Sequence, residues 1–315
     1  MSKILVTGGA GFVGSNLSER LVEDGHEVIV LDDLSKGTRE NIRQLLDKKN
    51  FKLIEADITD KQLYLKLPRD IDVIFHLAAI INVDESYYNP ERTYEVNVIG
   101  TQNLLNFARD YNIKKFIYAS SSEVYGSCVD NKPMSEEHPL NPPHNYGVSK
   151  LAADRMCFAY RVSYHMDVRV VRSFNLYGPK QSKEIYGGVI AKFSDKILSG
   201  RSPVIFGNGN QTRDYLYVKD IVEAYVLVMK YEGELNEPLN FGTGKDYSIK
   251  FIAEKLIALY GKKDTVNIEF VSARIGEVHQ LVADFSKAKK LLGWTPKYDF
   301  EKGLNEYTKW FKMYD

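Results

Sequence analysis

Tyr146 and Lys150 stand four residues apart in Tyr146-Gly-Val-Ser-Lys150, a segment that reads as the start of a helix running to about His165. That spacing puts both side chains on one helical face. A free tyrosine has a pKa of about 10, so a phenol acting as a base near neutrality needs a neighbouring cation to stabilise its phenolate. Lys150 can supply that charge. Tyr111/Lys115, Tyr215/Lys219 and Tyr298/Lys302 share the spacing and read as ordinary surface or packing pairs. Only Tyr146/Lys150 follows both a hydroxyl-rich strand end, Ala119-Ser120-Ser121-Ser122-Glu123-Val124-Tyr125-Gly126, and a proline-bearing loop, Pro142-Pro143-His144-Asn145. There Ser121 would hold a substrate hydroxyl. The trio Ser121, Tyr146 and Lys150 suits removal of a proton from an alcohol as hydride leaves its carbon.

A hydride needs an acceptor, and the N-terminus offers a place for one. Thr7-Gly8-Gly9-Ala10-Gly11-Phe12-Val13-Gly14 follows a short apolar strand and opens an amphipathic helix carrying Leu17 and Leu21. It reads either as Gly9-x-Gly11-x-x-Gly14 or as Gly8-x-x-Gly11-x-x-Gly14. Glycine permits the tight turn and close backbone approach, while unpaired N–H groups and the dipole at a helix start favour a pyrophosphate. About 20 residues further on, the second strand ends in Leu31-Asp32-Asp33, where a carboxylate would accept hydrogen bonds from ribose hydroxyls. Asp32 would repel a 2′-phosphate, so NAD is expected over NADP. The positive nicotinamide would then add to the effect of Lys150 on Tyr146.

The elements that must position these groups read as an α/β chain. Apolar or β-branched runs recur at Ile4 to Val6, Glu27 to Leu31, Phe51 to Ala56, Val73 to Ala79, Phe116 to Ala119 and Val168 to Val171, with helical periodicity between them. Continuous apolar strands alternating with helices imply a parallel sheet covered on both faces, a Rossmann-type doubly wound architecture. Ligands bind such sheets at the carboxyl ends of the strands, which is where the serine cluster falls. After about residue 175 strands become sparse and Gly178-Pro179 and Gly187-Gly188 punctuate the chain. The expected division is a nucleotide-binding domain over 1–175 and a smaller C-terminal substrate-binding lobe over 176–315. An apolar helix over Asp220 to Tyr231 and a short strand at Leu239 would return the chain to the first domain over about 218–243, making the second lobe discontinuous. The last helix, Phe300 to Tyr314, carries Leu304, Tyr307, Trp310 and Phe311 on one face, a packing pattern.

Composition narrows the partners. Lys+Arg and Asp+Glu each number 42, so the net charge is zero and no global field attracts nucleic acid or anionic membranes. A hydrophobic share of 44% with 27% charged residues is that of a soluble globular protein. Cys128 and Cys157 cannot form a disulfide framework, and no Cys/His spacing suggests a metal. The N-terminal apolar run is too short for a signal peptide and no stretch approaches the roughly 20 residues that span a bilayer, so a cytoplasmic location is expected. His76, at a strand end among apolar residues, reads as a packed structural histidine.

Taken together, TGGAGFVG, Asp32, Ala56-Asp57-Ile58, His76-Leu77-Ala78-Ala79, Asn97, SSSEVYG and YGVSK resemble the extended short-chain dehydrogenase/reductase superfamily over nearly the whole chain. Within it the sequence is similar to the nucleotide-sugar 4-epimerases, through Arg172-Ser-Phe-Asn175-Leu-Tyr-Gly-Pro179, Gly207 to Tyr215, Arg274-Ile-Gly-Glu277 and Asp284 to Trp294. The resemblance implies a nucleoside-diphosphate sugar substrate and a homodimer. It implies that Gly8, Gly11, Phe12, Val13, Gly14, Asp32, Asp33, Leu34, Ser35, Lys36, Gly37, Asp57, Ile58, Leu77, Ala78, Ala79, Asn97, Ser120, Tyr146, Lys150 and Phe174 line the NAD site. For the substrate it implies Ser121, Ser122, Glu123, Tyr146, Asn175, Val189, Val204, Phe206, Arg213, Arg274 and Glu277. The planar forks of Arg213 and Arg274 match a diphosphate better than lysine does.

The family runs several reactions through a 4-keto sugar: epimerisation, dehydration and decarboxylation. Dehydratases carry Thr-Asp-Glu where this chain has Ser121-Ser122-Glu123, so the acid that would protonate a departing hydroxyl is missing. UDP-glucuronate decarboxylases carry Thr-Ser-Glu followed by Val-Tyr-Gly, which is close to the sequence here, and Glu123 reads equally as a solvated carboxylate or as a participant in proton handling. A non-catalytic NAD-binding sensor would have lost part of the trio, and all three residues are present. The position of Leu281 looks like the wall that separates plain from N-acetylated hexoses, and leucine is intermediate in size. The expected reaction is NAD-dependent 4-epimerisation of a nucleoside-diphosphate sugar, UDP-glucose/UDP-galactose or their N-acetylated counterparts.

Overall fold

The computed structural model describes residues 1–65, 67–129, 132–183, 188–273 and 278–314. Along the first half run β1 (Lys3–Thr7), α1 (Phe12–Glu23), β2 (Glu27–Asp32), β3 (Phe51–Glu55), β4 (Val73–His76), α2 (Val83–Tyr88), α3 (Pro90–Tyr94), α4 (Thr101–Asp110), β5 (Lys115–Ser121), α5 (Asn145–Tyr164) and β6 (Val168–Ser173). The second half contains β7 (Asn175–Tyr177), α6 (Val189–Leu198), β8 (Val204–Phe206), β9 (Thr212–Tyr217), α7 (Val218–Lys230), β10 (Leu239–Phe241), β11 (Asp246–Ser248), α8 (Ile249–Leu259), β12 (Glu269–Val271), β13 (Gln280–Leu281), α9 (Ser286–Leu292) and α10 (Phe300–Tyr314). Each apolar run picked out by its pattern is a strand here, and the helix expected from Tyr146 begins one residue earlier.

A seven-stranded sheet has the order β10-β6-β5-β4-β1-β2-β3, with β3, β2, β1, β4 and β5 parallel. This is the Rossmann-like, doubly wound arrangement of an α/β protein. Strands β1 and β4 are buried along almost all their length, which is why they read as uninterrupted apolar runs. Smaller sheets pair β9 with β7, β11 and β13, and β8 with β12. Among the described residues no helix is long and apolar enough to cross a membrane.

The chain separates into two compact units. Unit 1 comprises Met1–Val124, Pro142–Arg172 and Val222–Leu239; unit 2 comprises Tyr125–Asn141, Ser173–Ile221 and Asn240–Asp315. The core of unit 1 is aliphatic, with Leu5, Ile29, Leu31 and Ile74 of the sheet against Leu104, Leu105 and Ala108 of α4 and Ala153 and Cys157 of α5. Helices supply one apolar stripe each, and the sheet supplies the continuous face that they cover. Unit 2 instead packs aromatic rings: Tyr177, Tyr215, Tyr217 and Phe300 with Leu256, Leu304, Tyr307 and Phe311. Leu304, Tyr307 and Phe311 are buried there while Trp310 is partly buried, so the face of α10 packs inward as its pattern suggested.

Unit 2 has few long strands, and a buried carboxylate compensates. Asp214 on β9 is inaccessible to solvent and accepts hydrogen bonds from Thr243 N–H (2.8 Å) and Oγ1–H (2.6 Å), Gly244 N–H (2.9 Å) and Ala283 N–H (3.2 Å). It ties two loops to the central strand of that sheet. Asp214→Ala would strand these donors, so a loss of about 3 kcal/mol is expected, the scale for removing a hydrogen-bonded buried charge, read as a lower urea midpoint.

Candidate active site

Unit 1 builds its site from the carboxyl ends of β1, β2, β4 and β5 and the start of α5. At β1 the chain turns through Gly8 with φ +68°, and a side chain on Gly8 would come within 2.9 Å of the Leu77–Ala78 backbone. A Cβ on Gly14 would lie 2.1 Å from the Gly8 carbonyl oxygen, so α1 can pack on the turn only with glycine there. Gly9 is equally confined, a Cβ there falling 2.6 Å from Val30 Cγ2, so both readings of the glycine pattern meet a steric need. Gly11 occupies the N-cap of α1 without any side-chain capping bond, so the helix start presents backbone N–H groups.

Asp32, at the end of β2, is almost buried, and burial raises its pKa. Its two oxygens accept from Ala10 N–H and Leu34 N–H, each at 2.9 Å, which welds the end of β2 to the glycine turn. Leu34 adopts φ +57°, an uncommon backbone for leucine, held by that bond to Asp32. Asp33 accepts from Ser35 N–H and Oγ–H, and Lys36 pairs with Glu85 at 3.2 Å. Gly37 packs against Ala10 and Asp32, leaving no room for a side chain. Asp57 is engaged by Arg92 and by Thr59 N–H (2.8 Å), and Ile58 is buried against Gly100. Leu77 and Ala78 hang from Thr7, Leu77 N–H donating to its carbonyl at 3.1 Å.

Asn97 lies in a π-helical turn, Glu95–Gly100, a local distortion frequent at functional positions. Its amide accepts from Ile80 N–H (2.8 Å) and donates to Ile80 O (2.9 Å) and Ser149 Oγ (2.9 Å), so it links the segment after β4 to α5. His76 contacts Thr7 Oγ1 at 2.7 Å and Thr101 Oγ1 at 2.8 Å, and burial pushes its pKa down to about 3. The reading of His76 as a neutral packing residue fits this environment.

Tyr146 and Lys150 are both buried on α5. Burial raises the Tyr146 pKa to about 12, against a hydrogen bond with the Ser121 side chain that lowers it; the charge of Glu123 raises it further. Burial also drives Lys150 down to about 7. The Lys150 ammonium donates to Ala119 O at 2.5 Å and lies 4.4 Å from the centre of the Tyr118 ring. Ser120, one residue from Ser121, donates to Asp154 Oδ2 at 2.8 Å, and Ser122 is buried. Glu123 meets His144, Nε2 to Oε2 at 3.1 Å, and both side chains are mostly covered.

In unit 2, Asn175, Val189, Val204, Phe206 and Arg213 line one cavity of about 250 Å³, joined by Gln181, Lys192, Gln211 and Tyr215. Asn175 Oδ1 and Gln181 Oε1 are buried there with no hydrogen-bond partner. Phe174 is buried beside Tyr125, with ring centres 6.4 Å apart. Leu281 pairs in register with Arg213 and is fully buried, and it is not among the residues lining the cavity. Arg274 and Glu277 lie outside the described residues.

Residues 5–307 match the sequence profile of the family described as GDP-mannose 4,6 dehydratase. The chain belongs to this family. It is thus a member of the nucleotide-sugar epimerases and dehydratases of the extended short-chain dehydrogenase/reductase type, as the motifs implied. UDP-glucose 4-epimerase of Mycolicibacterium smegmatis is 37% identical over 312 residues, covering 98% of each chain. UDP-glucuronic acid decarboxylase 1 of Xenopus tropicalis is 36% identical over 315 residues, covering 98% of this chain and 72% of that one. Among solved structures, UDP-glucose 4-epimerase of Thermotoga maritima with UDP-glucose superposes with a TM-score of 0.93 at 35% identity, over 99% of each chain. UDP-glucose 4-epimerase of Thermus thermophilus, complexed with NAD, has a TM-score of 0.89 at 31% identity, over 98% of this chain and 99% of that one.

Sequence reasoning missed the residues that orient the trio. Ser86 Oγ accepts from Tyr146 N–H at 3.1 Å, His144 caps α5, and Asp154 and Arg172 form a buried pair beside Ser120. A spacing signal existed only for Asp154, one helical turn beyond Lys150. Ser86 and Arg172 come from distant segments, and His144, two residues before Tyr146, shows its capping role only in the structure.

Lys150 gives a test without substrate. Its folded pKa of about 7 lies below its ordinary 10.5, so between these values the unfolded chain binds more protons and wild-type stability rises with pH. Below pH about 7 the whole cost of the buried cation is present. The melting temperature of Lys150→Met should therefore exceed that of the wild type most below pH 7, and the difference should shrink toward pH 10.

Proposed function

We propose that the protein is an NAD-dependent 4-epimerase of a nucleoside-diphosphate sugar, UDP-glucose/UDP-galactose or their N-acetylated counterparts, acting through a 4-keto intermediate. The observation that carries the reading is the convergence, within unit 1, of Ser121, Tyr146 and Lys150 at the same sheet edge as the Gly8–Gly14 turn and Asp32. An uncapped helix start behind a glycine turn is the donor set that a pyrophosphate requires, so these residues fit NAD. The Thermus thermophilus epimerase complexed with NAD supports the same choice.

Bound NAD would accept the C4 hydride and return it. Ser121 holds the C4 hydroxyl and Tyr146 takes its proton. Burial holds the phenol near 12, so a cation is needed to make it a base, and Lys150, one helical turn away, would supply that charge together with bound NAD. Unit 2 would hold the nucleotide. Val189, Val204 and Phe206 give the cavity apolar walls, Arg213 suits a diphosphate, and the unpartnered oxygens of Asn175 and Gln181 await donors such as sugar or base N–H and O–H groups. Epimerisation requires the keto sugar to turn its other face, so firm binding belongs to the nucleotide and diphosphate.

A second reading, UDP-glucuronate decarboxylation, is favoured by Glu123 beside Ser121 and by the Xenopus tropicalis relative. One panel separates them: UDP-, dTDP-, GDP- and CDP-sugars are incubated with the protein and the products read by NMR. Substrate deuterated at C4 should yield inverted product that keeps its deuterium in ordinary water, whereas carbon dioxide from UDP-glucuronate would move the assignment to decarboxylation. Tyr146→Phe should lose at least about a hundredfold in turnover while still binding NAD, and Arg213→Ala should raise KM more than it lowers kcat.

The proposed assembly is a homodimer through α5. Val148, Phe158 and Val162 are exposed at 39%, 43% and 59%, all toward one side of that helix. Val162→Glu should shift the mass found by light scattering from two chains to one.

A further inference from the structure

Glu123 is the residue on which the two readings divide, and its surroundings bear on what it does. It sits two positions past Ser121, and its own backbone N–H donates to Ser121 Oγ at 3.2 Å. Its carboxylate meets Nε2 of His144 at 3.1 Å. The other ring nitrogen of His144, Nδ1, accepts the N–H of Gly147 at 3.1 Å as the N-cap of α5. An imidazole that accepts at Nδ1 carries its proton on Nε2, so His144 donates and Glu123 accepts. The same ring lies parallel to that of Tyr146, with centres 6.1 Å apart and planes 14° from each other.

Four links therefore run from the strand end to the helix start: Ser121 to Glu123, Glu123 to His144, His144 to the Gly147 amide, and His144 against Tyr146. The joint has no slack. A Cβ on Gly147 would lie 2.7 Å from the Glu123 carbonyl oxygen and 2.7 Å from Pro142 Cβ. On its other side the helix start is held by Ser86, whose Oγ accepts Tyr146 N–H and whose carbonyl accepts Asn145 Nδ2–H at 3.0 Å. The position of Tyr146 relative to Ser121 is set at this joint, and a displacement of about 1 Å there would cost about 100-fold in rate.

We infer that Glu123 is a positioning residue, the acceptor in a Glu123–His144 bracket that fixes the catalytic tyrosine against Ser121, and that it exchanges no proton with the sugar. This rests on the proposed role of Ser121 and Tyr146. The bracket uses Glu123 only as a hydrogen-bond acceptor, which a glutamine can replace, whereas acid–base chemistry needs an ionisable group.

The comparison is between Glu123→Gln, Glu123→Ala, His144→Ala and His144→Asn. Each is assayed on whichever sugar nucleotide the wild type converts, so the wild-type product tests the reaction and the ratios among variants test the bracket. Glu123→Gln should keep kcat within about threefold of wild type, while Glu123→Ala and His144→Ala should each lose about 10- to 100-fold in kcat with KM little changed. Glu123→Ala/His144→Ala should be no worse than the weaker single variant, since both break one bracket. Asparagine is a good N-cap but cannot span to Glu123, so His144→Asn should recover the melting temperature of wild type without recovering kcat. A readout independent of turnover is the nitrogen NMR spectrum of His144 in the substrate-free protein: the Nε2–H tautomer is expected in wild type and in both Glu123 variants, because the Gly147 N–H holds Nδ1 as an acceptor, while the Nε2–H proton should exchange with solvent faster in Glu123→Ala than in wild type or Glu123→Gln. Equal losses in Glu123→Gln and Glu123→Ala, wild-type rates in Glu123→Ala, or an Nδ1–H tautomer in wild type would each overturn the proposal.

Discussion

Arg172 and Asp154 are each 1% exposed and meet through two hydrogen bonds, Nε to Oδ2 at 2.9 Å and Nη2 to Oδ1 at 3.0 Å. Either charge alone in that place would be costly, so the two are stable only together and only in this geometry. Asp154 belongs to α5, one turn beyond Lys150; Arg172 belongs to β6; and Ser120 of β5 completes the set by donating to the same carboxylate. Three elements are pinned at one point directly behind the serine cluster. Placement of Ser121, Tyr146 and Lys150 depends on that pin, with the Asn97 amide and the Glu123–His144 contact bracing α5 from other directions.

Burial then sets the chemistry of the placed groups. The low-dielectric surroundings that hold Tyr146 and Lys150 disfavour the ionised form of each, raising the phenol and lowering the ammonium. Lys150 is kept in place by a backbone carbonyl and an aromatic face, contacts that favour its charged form without neutralising it. On the proposed reading this leaves a tyrosine that gains basicity only when cations and a substrate hydroxyl gather around it.

The fold does not choose the reaction. An epimerase and a decarboxylase are 37% and 36% identical to this chain over nearly all of its length, so overall likeness does not separate the two reactions and the side chains of the site must. Ser122 carries an alcohol where an acid would need a carboxyl group, while Glu123 is drawn toward His144, a partner that neither the serine cluster nor the YxxxK spacing announces.

Local periodicity and local motifs were legible in the sequence because their physics is local. Strands β1, β2 and β4 to β6 appear as apolar runs because they are largely buried, and the glycines of the first turn declare themselves because a side chain would meet the Ala78 backbone at 2.7 Å from Gly8 and the Gly8 carbonyl at 2.1 Å from Gly14. The spacing of Tyr146 and Lys150 follows from one helical turn. Tertiary structure alone decided that Asp32 is turned onto Ala10, that Asn175 and Arg213 share a cavity with Gln181 and Tyr215, and that residues 125–141 pack in unit 2. These depend on contacts between segments tens to more than a hundred residues apart, such as Tyr125 Oη–H to Asn240 Oδ1 at 2.7 Å, and no pattern confined to a single helix or strand encodes such a meeting.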